Sequence, residues 1–387
     1  MPPKSWIQCK LGEYAEITMG QSPESTHYSS NPEDVPFLQG NRTFGSKYPH
    51  FDTYTSKVTK LAVKNSVLLS VRAPVGDVNI APNDVCLGRG VSGLTSIDVT
   101  NEFLYYLLRN LTPVLNQNEN GSTFGSINKS DLESLPILLP DITTRNKIAT
   151  ILSTIDSKIE INREINANLL ELLKIQFTRV LKLSNDSIRL GDIADIQTGP
   201  FGSQLHQEDY VKDGTPLVSV ENLGEFHLNR KHLPGITPED CIRLSRYLMK
   251  EGDIIFSRVG YVDRSSYVSK MEDGWMFSGS CLRIRNNNPD YSLYTYLFLN
   301  TNLSKETFKS IAVGATRPSI NSSILSEFEI IVPPKSDVKQ FNDYALKLES
   351  MMTINMIEIE KLTILRDYLL PKLMSGEINV STLEIHN

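Results

Sequence analysis

Two short polar loops contain the residues of this sequence that are best suited to bind an anionic ligand. The first reads GSTFGSIN at residues 121–128, and the second reads GATRPSIN at residues 314–321. Glycine in each loop allows backbone N–H groups to approach a phosphate, and a helix N-terminus is expected just beyond. Thr123, Thr316 and Arg317 could add hydroxyl and guanidinium contacts. The alternative is a well-capped turn that binds no ligand.

Three arginines are further candidates for contacts with phosphate. Arg72 and Arg258 end the apolar segments LLSVR and IIFSR, and Arg89 lies between two glycines. We expect Arg72 and Arg258 to occupy equivalent positions. An arginine that follows a strand can instead pair with a local acid, here Asp77 or Asp263, so ligand contact and a local ion pair are both open.

Glutamine, asparagine and arginine can form paired hydrogen bonds with adenine and guanine edges in the major groove of DNA. Side chains that read bases should lie where the two halves of the chain differ most. These places are the variable stretch before the apolar segment of each half, and the residues just after the apolar segment of the second half. The candidates there are Gln21, Ser22, Arg42, Lys57, Ser203, Gln204, Asn222, Arg230 and Tyr261.

Motifs of the common catalytic and cofactor sites are missing from the sequence. It contains no P-loop, no H-E-x-x-H, no G-x-S-x-G and no [DN]-P-P-[YFW] motif of amino-methyltransferases. GRGVSG at residues 88–93 fits G-x-G-x-x-G, but strand-like residues follow it where a helix should begin. The six histidines are scattered. We therefore expect binding without catalysis, and no metal or cofactor held by this chain.

The composition is that of a globular protein of two or more domains, with 387 residues and a net charge of −6. No segment is a basic block, so contact with nucleic acid would use local clusters and a partner that supplies positive field. The sequence has no apolar run long enough for a membrane span and no signal-peptide pattern at its start, so we expect a cytoplasmic protein.

The candidate residues belong to a tandem repeat. LGEYAEITMG at residues 11–20 matches LGDIADIQTG at residues 190–199, and FLYYLLRN at 103–110 matches LYTYLFLN at 293–300. Each copy predicts a strand, a variable stretch, an apolar strand, a helix and the polar loop. Asn128 and Asn321 then cap a short helix, and a strand ends at proline. We predict two homologous α+β domains, at residues 1–140 and 184–333.

A long amphipathic helix follows each domain, at residues 141–183 and 334–375, and a tail occupies residues 376–387. Apolar residues recur at steps of three and four, which predicts an antiparallel coiled coil with pseudo-two-fold symmetry. Asn162 and Asn355 fall on its seam, where we expect them to meet and set the register. The alternatives are helices that pack on their own domains, and asparagines that face solvent.

The order of these elements resembles the specificity subunit of type I restriction-modification systems. The resemblance covers residues 11–378 and includes LLPKLMSGEI at residues 369–378. It implies two target recognition domains that each read half of a bipartite double-stranded DNA target. It further implies two modification subunits that methylate adenine N6 with S-adenosylmethionine, and restriction subunits that use ATP and Mg²⁺. The second loop has Arg317-Pro318 where the first has Phe124-Gly125, so the two loops cannot make identical contacts.

Two other classes of protein remain as alternatives. A two-lobed scaffold could use the same architecture to bind protein instead of DNA. A self-contained methyltransferase would need a further domain of roughly 250 residues, for which two domains and two long helices leave no room. Enrichment of a split DNA consensus would distinguish a specificity subunit from a scaffold.

Overall fold

The computed structural model describes residues 6–98, 100–117, 126–184, 186–202, 204–314 and 316–380. We call the residues before the first long helix domain 1, and those between the two long helices domain 2. The elements up to the first long helix are β1 (Ile7–Lys10), α1 (Leu11–Tyr14), β2 (Ala15–Met19), β3 (Tyr28–Ser29), β4 (Val35–Leu38), β5 (Tyr54–Thr55), β6 (Leu61–Ala62), β7 (Val67–Ser70), β8 (Val78–Ile80), β9 (Val85–Leu87), β10 (Val91–Ser96), α2 (Asn101–Gln117), α3 (Lys129–Glu133), β11 (Pro136–Leu139) and α4 (Ile142–Leu181).

The second half repeats this order with small differences. Its elements are β12 (Ser187–Arg189), α5 (Leu190–Ile193), β13 (Ala194–Thr198), β14 (Thr215–Val218), β15 (Gly235–Ile236), α6 (Pro238–Arg243), β16 (Ile254–Ser257), β17 (Ser265–Tyr267), β18 (Met276–Phe277), β19 (Cys281–Asn286), α7 (Ser292–Leu299), α8 (Asn302–Ile311), α9 (Ser322–Ser326), β20 (Glu329–Ile331) and α10 (Lys335–Met374). The single helix α2 of domain 1 therefore corresponds to the pair α7 and α8.

Two sheets of each domain have the same strand order, and a third sheet differs in its number of strands. A four-stranded antiparallel sheet has the order β2-β10-β7-β8 in domain 1 and β13-β19-β16-β17 in domain 2. Two-stranded sheets join β1 to β11 and β12 to β20. A further sheet in each domain contains one parallel pair, β4 with β9 and β14 with β18. The prediction of two homologous α+β domains is confirmed.

The strand registers define which residues of the two domains are equivalent. Leu94 of β10 pairs with Ile17 and Val67, and Ile284 of β19 pairs with Ile196 and Ile254. Ile17 and Ile196 are the isoleucines of the repeated L-G-x-x-A-x-I motif, so Val67 corresponds to Ile254. The offset between β7 and β16 is therefore 187 residues, one more than the match of LLSVR with IIFSR implied.

The expectation that Arg72 and Arg258 are equivalent is consequently wrong. The counterpart of Arg258 is Val71, and the counterpart of Arg72 is Val259. The apolar letters of the two segments match at either offset, so the shared arginine decided the alignment wrongly. A shift of one residue in an extended chain turns the side chain to the other side. Arg72 is accordingly exposed, whereas Arg258 is half-buried.

The predicted caps of the short helices are present. The Asn128 side chain accepts a hydrogen bond from the backbone N–H of Asp131, at 3.0 Å. The Asn321 side chain accepts one from the N–H of Ile324, at 2.8 Å. Each cap satisfies a backbone donor of the first helical turn that would otherwise lack a partner. The caps fix the chain direction immediately after each polar loop.

The long helices α4 and α10 have 40 residues each, about 60 Å at the rise of an α-helix. Each begins 193 residues from the other, the same offset as the polar loops. The chain divides into two compact units, Met1–Glu160 with Ile359–Asn387, and Ile161–Glu358. Each unit therefore contains one domain and half of each long helix. None of the described helices is both long and apolar enough to span a bilayer.

The helix halves are antiparallel within the first unit, and a buried ion pair lies between them. The Asp156 carboxylate of α4 accepts hydrogen bonds from Arg366 of α10 at 2.9 Å and from the Tyr106 hydroxyl of α2 at 2.7 Å. Asp156 is only 8% exposed. Burial and the nearby Asp156 charge raise the pKa of Tyr106, which stays a hydrogen-bond donor. This network joins domain 1 to both helices.

The helix halves of the second unit pair through asparagines, but not as expected. Asn355 donates to the Asn166 carbonyl oxygen at 2.7 Å, and Asn166 donates to the backbone oxygen of Met352 at 3.0 Å. Asn162 is buried and donates to Glu358 at 2.8 Å. Asn162 and Asn355 thus lie on the seam, yet each bonds a residue one helical turn from the other asparagine. The antiparallel pairing itself is confirmed.

Candidate nucleic-acid interface

Four strands of domain 1 end at one place, around the turn that opens β10. Strands β2 and β7 both run antiparallel to β10, and β4 runs parallel to β9, so their carboxyl ends meet there. The residues that follow the four strands are 20–22, 39, 71–72 and 88–90, and we call them the strand-end edge of domain 1. Backbone hydrogen bonds join them: Gly90 N–H donates to Gln39 O at 3.0 Å, and Val71 N–H donates to Gly90 O at 2.9 Å.

Glycine is required at the centre of this edge. A Cβ atom on Gly90 would lie 2.6 Å from the backbone oxygen of Gln39, and one on Gly88 would lie 2.7 Å from the Gln39 Cα. Such distances are too short for any side chain, so only glycine permits the close approach of the two segments. The two glycines therefore hold Arg89 and Gln39 side by side at the surface.

Polar side chains of the edge form a short hydrogen-bonded chain. The backbone N–H of Arg89 donates to Ser22 Oγ at 3.2 Å, and Ser22 Oγ donates to Gln39 Oε1 at 3.0 Å. The Tyr28 hydroxyl donates to the same Gln39 oxygen at 3.3 Å. Two of the predicted residues, Ser22 and Arg89, are thus brought together around a glutamine that the sequence analysis did not select.

The remaining predicted residues on this edge are exposed. Gln21 is fixed by its backbone N–H, which donates to Leu87 O at 2.9 Å, and its side chain faces outward. Arg72 is exposed and forms an isolated β-bridge with Ser126, so the apolar strand and the end of the polar loop are adjacent. The Asp77 carboxylate, the expected local partner of Arg72, instead accepts a hydrogen bond from Asn41 at 2.6 Å.

Arg42 and Lys57 lie outside the strand-end edge, and Thr123 lies outside the described residues. The Arg42 guanidinium pairs with Asp52 at 2.8 Å, and its side chain is 74% exposed. Arg42 hydrogen bonds also lower the pKa of the Asp52 carboxyl, so this pair is charged at neutral pH. Lys57 is exposed in the loop after β5, where its backbone bonds the Thr55 hydroxyl.

Domain 2 has the same edge with different side chains. Strands β13, β14, β16 and β18 end around the turn that opens β19, and residues 199–201, 219, 258–259 and 278–280 follow them; they are the strand-end edge of domain 2. Equivalent backbone bonds are present, because Ser278 N–H donates to Val218 O at 2.8 Å and Arg258 N–H donates to Ser280 O at 2.9 Å. The positions of Ser22, Gln39 and Arg89 are occupied by Phe201, Ser219 and Gly279.

A cavity of about 630 Å³ lies at the edge of domain 2. Phe201, which is 56% exposed, and the half-buried Arg258 line it together with Ser219 and Gly279. Lys231 also lines the cavity. An exposed aromatic ring beside basic groups is a combination that binds nucleotides by stacking and charge.

The polar loop of domain 2 is attached to this edge. Gly260 N–H donates to Pro318 O at 2.9 Å, and Val259 forms an isolated bridge with Ser319. Gly314 has a φ of +103°, the left-handed region that favours glycine. Thr316 and Arg317 are exposed at the tip of the loop. The structure thus brings these two predicted residues close to Arg258 along the chain of hydrogen bonds.

Tyr261 is exposed and carries an arginine against its ring. The Arg264 guanidinium lies 3.9 Å from the ring centroid, a cation–π contact, and the Tyr261 side chain is 62% exposed. The Asp263 carboxylate, the expected partner of Arg258, pairs with Lys309 at 2.8 Å. Arg258 itself donates from Nε to the backbone oxygen of Gly279 at 2.6 Å.

Three predicted residues of domain 2 are engaged inside the domain. The Asn222 side chain is buried, accepts from Ser219 N–H at 3.0 Å and donates to Asn229 O at 3.2 Å. Arg230 pairs with the buried Glu272 at 3.0 Å. The Gln204 side-chain oxygen accepts from the Tyr247 hydroxyl at 2.9 Å. These contacts give the three residues a structural role. Ser203 lies outside the described residues.

Gln39, Phe201 and Arg264 were not among the candidates selected from the sequence. Phe201 follows the strand predicted at the repeated motif within three residues, as Ser22 does, so the position after a strand was the available signal there. Gln39 follows β4, which lies in the variable stretch and was not predicted as a strand. Arg264 gave no such signal, because its role depends on the ring of Tyr261. Among the described residues, no group of histidine, cysteine, aspartate or glutamate side chains is arranged to hold a metal ion.

Comparison with known proteins agrees with the repeated architecture. A family model described as "Type I restriction modification DNA specificity domain" matches residues 3–171 and again 184–361. The putative type I restriction enzyme MjaX specificity subunit of Methanocaldococcus jannaschii is 45% identical over 166 residues, which are 42% of this chain and 39% of that protein. The MjaIX specificity subunit of the same organism is 28% identical over 426 residues, with 98% of this chain and 95% of that protein covered.

A solved structure has the same fold. The crystal structure of a type I restriction-modification S subunit from M. genitalium superposes with a TM-score of 0.63 at 19% sequence identity, and the match covers 95% of this chain and 96% of that one. Each homologous half of the chain contains one match to the family model, and together the two matches span most of the sequence. The protein therefore belongs to the type I restriction-modification DNA specificity family.

Proposed function

We propose that this protein is the DNA-specificity subunit of a type I restriction-modification complex, and that the strand-end edge of each domain reads one half of a bipartite target. One observation carries the proposal. The two domains share backbone hydrogen bonds and the strand order of the four-stranded sheet at this edge, yet the side chains displayed there differ. A common frame with different side chains is what recognition of two different half-sites requires.

The proposed contacts of domain 1 combine positioning and base reading. Arg72 and Arg89 are exposed and basic, which suits contacts with phosphate oxygens or with guanine. Gln21 lies beside them on the edge and supplies an amide group, and the Ser22 hydroxyl donates to Gln39. Arg42 is paired with Asp52 and lies outside the edge, so we leave it and Lys57 out of the proposed contact set.

The proposed contacts of domain 2 are more aromatic. Phe201 and Tyr261 present exposed rings, and Arg258, Thr316 and Arg317 present groups that bond phosphate. Because Asn222 and Arg230 are engaged within the domain, we assign them to the support of the cavity and not to base reading.

We further propose that the long helices bind two modification subunits. Apolar side chains remain exposed on both helices, among them Ile161, Ile165 and Ile175 of α4 and Ile354 and Ile364 of α10. Ile161 and Ile165 are one helical turn apart, and exposed apolar residues that cluster on a helix are typical of a protein interface. The adenine-N6 methyl transfer, with S-adenosylmethionine, would belong to these partners, and ATP-dependent cleavage to restriction subunits. Partner surfaces would also offset the net charge of −6 near DNA.

The proposal is tested by expressing the chain together with its modification subunit in a host whose DNA carries no adenine methylation of its own. Methylome sequencing should reveal one bipartite motif with a fixed gap. The chain alone and the modification subunit alone are the controls, and neither should methylate. A scaffold that binds protein would produce no motif, and methylation by the chain alone would identify it as an enzyme. Either result contradicts the proposal.

A further inference from the structure

We propose that Gln39 is a specificity-determining residue of domain 1, whose Nε2 amide group donates a hydrogen bond to an acceptor on the edge of a target base. The acceptors of this kind in the major groove are purine N7, guanine O6 and thymine O4. The inference rests on the proposed function, since it assigns a chemical preference to one position of the half-site that domain 1 reads.

The hydrogen bonds around Gln39 orient its carboxamide. Arg89 N–H donates to Ser22 Oγ, so the Ser22 hydrogen is available to Gln39 Oε1 at 3.0 Å. The Tyr28 hydroxyl donates to the same oxygen at 3.3 Å. An amide group has one oxygen acceptor and one nitrogen with two donors. Two hydroxyl donors on the oxygen leave the NH₂ group to face outward.

The backbone of Gln39 is held as firmly as its side chain. Its carbonyl oxygen accepts from Gly90 N–H at 3.0 Å, and the preceding Leu38 carbonyl accepts from Gly88 N–H at 2.7 Å. The side chain nevertheless remains exposed. A polar group with a fixed direction and an open outer side is preorganised to bind, because little side-chain freedom is lost on contact.

The surroundings of Gln39 suit a nucleobase. Gln39 lies at one wall of a 380 Å³ depression that is also lined by the Tyr28 and Phe37 rings, 4.9 Å apart, and by the Arg42–Asp52 ion pair. Arg89 follows the glycine that packs against Gln39, so a cationic side chain that can contact a phosphate is adjacent. Cytosine presents a donor, its N4 amino group, in the major groove, and two facing donors would repel.

Domain 2 cannot read a base in this way. Ser219 occupies the position of Gln39, and its hydroxyl donates to Asn222 Oδ1 at 3.0 Å, inside the domain. Gly279 takes the place of Arg89, and Phe201 takes the place of Ser22. The preference that Gln39 imposes should therefore affect one half-site only, which makes the other half an internal reference in every experiment.

The test is the Gln39→Glu substitution in the complex with the modification subunit. The Ser22 and Tyr28 hydroxyls would hold one carboxylate oxygen, and the other would present an acceptor in place of the NH₂ donor. Methylation should shift by ~10-fold at one position of one half-site, towards cytosine, whose major-groove edge offers an amino donor and no acceptor. The readout is the methylated motif, compared between parent and variant in the same host.

Gln8→Glu is the matched control, because it makes the same change at an exposed position on β1, away from the strand-end edge. It should leave both half-sites unchanged. Two results with Gln39→Glu overturn the inference: an unchanged motif, and a uniform loss of methylation at all sites without a change of motif, which would place Gln39 against phosphate. If that variant does not assemble, Gln39→Met decides instead; it should relax the same position, and an unchanged motif overturns the inference.

Ser22→Ala tests the orienting role of the hydroxyl separately. With one of its two donors removed, the Gln39 carboxamide can turn over and present either oxygen or nitrogen, so discrimination at the same position should fall by ~3-fold or more. Retention of full discrimination contradicts the orienting role. A parent complex that yields no bipartite motif would instead refute the proposed function, so the two failures are distinguishable.

Discussion

His227 of domain 2 is a half-buried histidine whose ring nitrogens are buried and have no hydrogen-bond partner in the described part of the structure. Burial, with a smaller contribution from the Arg230 charge, lowers its pKa from 6.5 to about 4. The unfolded chain therefore binds a proton before the folded chain does as the pH falls below about 6.5. The contribution of this difference to the free energy of unfolding is fully present above that pH and is lost as the pH falls towards 4.

We predict that the free energy of unfolding of domain 2 falls by about 2 kcal/mol between pH 7 and pH 5 because of this residue. His227→Phe should remove that part of the pH dependence, since the Phe ring can pack on Phe226 as the imidazole does, at 4.7 Å between centroids. The measurement is the urea midpoint of the full chain as a function of pH. His50→Phe, at an exposed position, is the control. The prediction is contradicted if the urea midpoint of His227→Phe falls with decreasing pH as steeply as that of the parent chain.

Residue types at the candidate interface could be predicted from the sequence, but their contacts could not. Ser22, chosen from the variable stretch, and Arg89, chosen from a glycine turn, lie together at the strand ends, and their contact with DNA stays a prediction. Asn222 and Arg230 have the same chemistry but face inward, because a loop can bury an amide whose bonds are satisfied within it. The one-residue shift between Arg72 and Arg258 arose because apolar strand residues match one another at more than one offset.

The long helices could be predicted with their lengths, because no glycine or proline interrupts most of each helix and apolar spacing repeats throughout. Their polar contacts depended on the rotation of one helix against the other, which spacing alone does not define. Asn355 therefore bonds Asn166, a residue that the periodicity did not place on the seam. A polar pair at such a position costs some stability but fixes the register of two helices.

We predict that Asn355→Leu lowers local stability by about 1 kcal/mol, because the Asn166 carboxamide loses its donor. In Asn166→Leu/Asn355→Leu the loss should be recovered, since two leucines can pack where two amides bonded. Hydrogen exchange of the amides in residues 161–181 of the native chain measures this local stability. If the loss in the double variant equals the sum of the losses in the two single variants, the two amides are not coupled, which contradicts the prediction.

At the scale of the whole molecule, the repeat explains how an acidic chain can serve a nucleic-acid complex. No described helix or strand forms a basic block, and the basic residues of interest lie singly at strand ends, each in a position that the fold repeats. The common frame allows one edge to change its side chains while the other is kept. In the proposed complex, new target sequences would arise from substitutions at few positions, such as 39 and 219, without loss of the fold.

Insertion of one heptad into both α4 and α10 tests the role of the helices in that complex. Seven residues add about 10 Å of helix and preserve the seam, because the insertion equals two turns. If the helices set the distance between the sites that the two domains read, the gap between the half-sites should grow by about three base pairs, at 3.4 Å per pair. The half-sites themselves should stay the same, because no residue of either strand-end edge is altered. Methylome sequencing of the variant with its modification subunit measures both quantities.

An insertion in α4 alone is the matched control: it mismatches the two helices and should abolish methylation. A motif with its original gap in the double insertion would show that the helices do not determine the spacing.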